Sequence, residues 1–197
     1  MRIITTLFFL VATLSLNAQH DPLLEKRLAA VLTYTQQSDL EKILDYTYPK
    51  LFTLVPKDKM QEALANSFDT EEFSISIDSI NLLRLFPVFT VAQEDFAKIK
   101  HSMLMRMKFK EKADTTNAEL IKERQDLAKV MEEKFGRGNA RYDKQGDALL
   151  IHNVSYMVAI KPKDDKQWYF VNFDEDNTAI LNFLFSKPVI EKLATYK

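Results

Sequence analysis

Two rhythms of apolar and polar residues run along the chain, and one replaces the other near residue 70. Before that point apolar residues return every three or four positions. Leu24, Leu28, Val31 and Leu32 do so behind Asp21-Pro22, a capping residue followed by a proline suited to the first helical position, which predicts a helix. S-D-L-E at 38–41 has the form of a capping box and opens a second helix with Leu40, Ile43 and Leu44 inward, ended or redirected by Pro49. Pro56 opens a third, with Met60, Leu64 and Phe68 on one stripe.

Beyond residue 70 the period falls to two. F-S-I-S-I-D at 73–78 alternates, as a half-buried strand does. L-R-L-F-P-V-F-T-V at 83–91 predicts a second strand, with Pro87 marking an edge or a bulge. Q-E-D at 93–95 turns the chain into a long third strand reaching Phe109. There Met103, Met105, Met107 and Phe109 share one face, and Leu104, Arg106 and Lys108 the other. T-N-A-E at 116–119 opens a further helix, with Leu120, Leu127, Met131 and Phe135 inward and Gly136 at its end. A turn at 142–147, strands at 148–160 and 167–174 joined by K-P-K-D-D-K, and a short helix near 188–196 complete the pattern.

These elements define an α+β fold: N-terminal helices packed on one face of a curved, cone-like antiparallel sheet, a helix inserted at about 117–135, and a short C-terminal helix. The stretches K-H-S-M-L-M-R-M-K-F (100–109), F-G-R-G-N-A-R-Y-D (135–143), K-Q-W-Y-F (166–170) and P-V-I-E-K-L (188–193) carry a resemblance. In this order they resemble the nuclear transport factor 2-like (cystatin-like) cone superfamily, in particular its secreted bacterial members. The resemblance implies a cone that often encloses a ligand. In some members it houses an isomerase or dehydratase site built from Asp, His or Tyr, but no motif of this chain matches such a site, so no catalytic residue is carried over.

The first residues give an address. Arg2 precedes an apolar run at 3–16, and Ala18 stands where a signal peptidase would cut, so 1–18 reads as a cleaved signal peptide and 19–197 as a single domain. The run is shorter than the ~20 residues of a spanning helix. The expected location is therefore secreted or periplasmic, with no stable membrane span after cleavage. There is no cysteine, which removes lipid anchoring through cysteine, disulfides and thiolate chemistry. The 27 basic and 28 acidic residues nearly balance, leaving no footprint for nucleic acid. Three glycines are too few for a phosphate-cradling loop.

Candidate chemistry is sparse. D-E-D-N at 174–177 places three carboxylates together, but Ala179 and Phe185 stand where a helix–loop–helix calcium loop requires glycine and glutamate. The cluster reads as a solvated strand end or a helix-capping turn, and no metal site is expected. His101 and His152 lie on strands without a second histidine at ligand spacing, and no G-x-S-x-G marks a nucleophile. What remains is a cavity: His101 with the Met103, Met105 and Met107 stripe, and His152 with Tyr156 on the 148–160 strand. The function expected is a secreted non-catalytic binding or accessory protein, without cofactor, whose partner is a small apolar molecule or a protein. It would act as a monomer or homodimer. The alternatives are a cone-type enzyme using His and Tyr as acid and base, and a module that binds proteins through an exposed sheet face.

Overall fold

The computed structural model of the protein describes residues 21–111 and 117–197. The expected signal peptide, its cleavage site and His20 lie outside the described residues.

The opening helix, α1 (Pro22–Gln36), starts where its cap requires: Asp21 Oδ1 accepts the N–H groups of Leu23 and Leu24 at 2.9 and 3.1 Å. Helix α2 (Leu40–Asp45) starts one residue later than its capping-box motif implies. Ser38 sits at φ 55°, outside the extended geometry of an N-cap, and Asp39 Oδ1 accepts the Lys42 N–H instead. Pro49 opens a 3₁₀ turn (Pro49–Thr53), and α3 (Lys57–Phe68) follows Pro56. No residue of α3 is fully buried. Its stripe of Met60, Leu64 and Phe68 is only half-covered.

Strand β1 (Phe73–Leu85) is one continuous strand where the alternation implied two, with bulges at Ile77/Ser79 and Leu82/Arg84. The bulges break the two-residue rhythm and so hide the continuity. Pro87 follows the strand, and β2 (Phe89–Val91) forms a hairpin with β3 (Glu94–Phe109). Ala92 and Gln93 make the turn, both at positive φ as a two-residue hairpin demands, so the turn begins one residue before the Q-E-D stretch and takes only Gln93 from it, with Glu94 and Asp95 already in β3. Helix α4 (Ala118–Phe135) is capped by Asn117, one residue beyond Thr116, and Gly136 ends it at φ 97°. Strands β4 (Ala140–Asp143), β5 (Ala148–Lys161) and β6 (Tyr169–Phe173) follow, then α5 (Thr178–Leu184), which the sequence pattern did not announce, and α6 (Lys187–Ala194).

Among the described residues all six strands join one antiparallel sheet, ordered β1-β3-β5-β4, with β2 also beside β3 and β6 also beside β5. Strand β3 occupies one edge of β5 throughout. Strands β4 and β6 share the other, β4 opposite 148–151 and β6 opposite 156–160. Residues 152–155 lie in a notch between them, with no strand neighbour on that side among the described residues.

Helices cover both faces of the sheet rather than one. On the first face Ala97, Ile99, Met157 and Phe170 pack on Leu24, Leu28 and Val31 of α1. Further along that face Met107, Phe109, Leu149 and Ile151 meet Ala128 of α4. On the second face Phe96, Val158, Ile160 and Phe173 lie beneath Leu181 and Leu184 of α5 and Val189 and Leu193 of α6. The cause is local: 157–160 is a continuous apolar run, and such a strand needs cover on both sides. Among the described residues no helix is long and apolar enough to cross a membrane.

Candidate functional site

The register of β3 and β5 divides the residues singled out from sequence. His101 stands opposite Ser155, Met103 opposite Asn153, Met105 opposite Ile151 and Met107 opposite Leu149, all on the first face. His152 stands opposite Leu104 and Tyr156 opposite Lys100, on the second. Met107 is buried beneath α4, and Met105 packs against the same cluster. His152 is exposed, and its backbone N–H donates to Asn139 O at 2.7 Å. The six do not share one cavity.

Three of them do meet. His101, Met103 and Tyr156 line a pocket of about 440 Å³ at the notch, where β6 ends and leaves the side of β5 open to both faces. Asn153, Ser155, Asn172, Asp174 and Glu175 complete its polar wall. His101 is only 3% exposed. Its Nε2 lies 3.0 Å from Ser155 Oγ, whereas Nδ1 is buried without a partner among the described residues. Burial pushes the imidazole pKa below its ordinary value. The unfolded chain therefore binds the proton more readily than the native state. Stability from neutral His101 is complete above about pH 6.5 and is lost as the pH falls below that value towards the depressed native pKa. The melting temperature should drop between about pH 7 and 5, and His101→Leu should flatten that drop. Equal slopes for the two proteins would contradict a buried neutral His101.

The carboxylate cluster is a turn. Asp174 Oδ1 accepts the Asp176 N–H at 3.1 Å, and Asn177 Oδ1 caps α5 through the Ile180 N–H. Glu175 reaches Lys98, which is 1% exposed on the second face. Lys98 Nζ donates to Glu175 Oε1 (3.1 Å), Leu193 O (3.2 Å) and Tyr196 O (2.9 Å). It also lies 4.4 Å from the centre of the Tyr156 ring and 4.7 Å from that of Phe173. All three ammonium donors are used, so this cation anchors the end of α6. No group of three or more His, Asp or Glu side chains is placed to hold a metal among the described residues.

A second hollow lies where no sequence signal placed one. A cleft of about 460 Å³ follows the outer edge of β6, between α1–α3 on one side and α5 on the other. Its walls are apolar: Leu44 of α2, Met60 and Leu64 of α3, Phe170 of β6, Leu181 and Leu184 of α5. Thr35, Thr47, Asn172, Asp174 and Asn177 add polar groups. The half-covered stripe of α3 now has its reason, since Met60 and Leu64 face this cleft instead of the core. That stripe was visible in the sequence. Its incomplete burial was not, because helical spacing reports a shared face and says nothing of what the face meets. Comparison of the chain with protein-family models, with curated proteins and with solved structures gives no match.

Proposed function

We propose that the protein is an exported, non-catalytic binding or accessory protein that holds a small apolar molecule in the cleft beside β6. The observation that carries this reading is the cleft itself, whose volume falls within the roughly 300–1,000 Å³ of small-molecule sites and whose walls are mainly aliphatic and aromatic. Two methionines, Met60 and Met157, line it, and methionine adapts its shape to varied apolar ligands. Helices laid on an antiparallel sheet also fit the nuclear transport factor 2-like cone, which is the superfamily we favour.

Filling the cleft is the direct test. Leu64→Trp, on a half-covered helix face, should leave the fold intact and abolish stabilisation by decanol in a thermal-shift titration. A wild-type protein whose melting temperature ignores decanol would overturn the proposal.

The His101–Ser155 contact supports a second reading, a cone-type enzyme with His101 as base. Nδ1 lacks the orienting acceptor that holds a catalytic imidazole in one tautomer, so binding is the stronger reading.

A further inference from the structure

We propose that the apolar cleft and the polar pocket at the notch are two halves of one site for an amphipathic small molecule. The apolar tail lies along β6, and a hydrogen-donating head, an amine or a hydroxyl, sits against Asp174 and Ser155. This rests on the cleft reading above and adds the chemical class of the ligand and its direction.

Continuity comes first. Asn172 and Asp174 line both hollows. Met157, opposite Asn172, belongs to the cleft, and Ser155, opposite His101, belongs to the pocket. They are successive same-face positions of β5, roughly 7 Å apart. A chain lying on Met157 therefore delivers its end to Ser155.

Polarity comes from the groups that await that end. Asp174 and Glu175 both line the pocket, and Glu175 Oε1 is already taken by Lys98. The turn uses Asp174 only at Oδ1. Neither Lys98 nor Lys100 lines the pocket: Lys98 spends its three donors on the carbonyls of Leu193 and Tyr196 and on Glu175, and Lys100 lies over the Tyr156 ring on the second face. Among the described residues the pocket thus offers acceptors and is lined by no lysine or arginine, which favours a donor and disfavours an anion. A neutral His101 that donates from Nε2 to Ser155 Oγ leaves the hydroxyl proton of Ser155 to point outward, so a ligand oxygen can also be met. The backbone agrees. Phe170 directs its N–H to Tyr46 O and its C=O to the Tyr48 N–H on the outer edge of β6. Strand alternation turns the N–H and C=O of Asn172 the same way, towards the junction of the two hollows.

Calorimetric titration with decylamine, decanol and decanoate tests this on the exported protein. Decylamine is expected to bind at least about tenfold tighter than decanoate, as a hydrogen bond to a charged group implies. Asp174→Asn keeps the oxygen that accepts the Asp176 N–H and should bring the two within about threefold. Ser155→Ala should weaken decanol several-fold. Leu64→Trp should abolish binding of all three. An unchanged amine preference in Asp174→Asn, or a wild-type preference for decanoate, overturns the head assignment. If wild type binds all three equally and Leu64→Trp binds none, the head assignment falls while the cleft reading stands. If wild type binds none of them, both fall.

Discussion

Replacing Trp168 by alanine is expected to lower the melting temperature by roughly 6–20 °C, followed by circular dichroism. Trp168 is the only tryptophan and has no exposed surface. It joins the first and last parts of the fold. Its Nε1–H donates to Asp21 Oδ2 at 2.9 Å, and Asp21 is the cap of α1. Its carbonyl accepts Arg27 Nε, whose guanidinium stacks 4.2 Å from the Tyr46 ring centre. Removing a buried aromatic costs about 3–5 kcal/mol in lost transfer and cavity formation. One kcal/mol moves a domain of this size by about 2–4 °C. Trp168→Phe should cost less, because the ring volume largely remains and one hydrogen bond is lost. Burial works against ionised Asp21, but the Leu24, Trp168 and Leu23 N–H groups and the charge of Lys161 outweigh it and hold the carboxyl below its ordinary value. Its contribution is therefore present above about pH 4 and lost as acid titrates through the lower native value. A melting temperature unchanged in Trp168→Ala would show that α1 is not docked through this side chain.

The second large effect is expected at Lys98. Lys98→Met preserves the aliphatic stem but leaves the Tyr196 and Leu193 carbonyls without the ammonium, at a cost of about 2–3 kcal/mol. Glu175 is mostly exposed, so Glu175→Gln should cost under about 1 kcal/mol. That asymmetry separates a helix anchor from a surface ion pair. Chemical denaturation curves read both, and equal losses would contradict the anchoring role.

How much of this was readable beforehand depends on the element. Helix α1 was, because Asp21-Pro22 and the 24–28–31 spacing agree, and all three apolar residues are buried. The long β3 was, because its alternation continues from Ile99 to Phe109, and β5 was, because the apolar runs at 148–151 and 157–160 frame it. Helix α5 was only partly so: 174–177 read as a strand end or a helix-capping turn, and Asn177 is that cap, but Thr178–Leu184 is too short to show a period. The site was the least legible part. Met103, Met105 and Met107 do share a face, as expected, but that face continues from open sheet to the floor beneath α4. The position of His152 and Tyr156 relative to the methionines depends on the register between β3 and β5, and a shift of one residue would exchange the faces. The cleft depends on where three helices come to rest around β6, which no local pattern encodes.

Methyl-resolved NMR of the protein titrated with decylamine locates the bound molecule. The methyl groups of Leu44, Met60, Leu64, Leu181 and Leu184 are expected to shift, while those of Met107 and Ile151 stay in place. Shifts centred on Met105, Met107 and Ile151, or none anywhere, would contradict a site at the edge of β6.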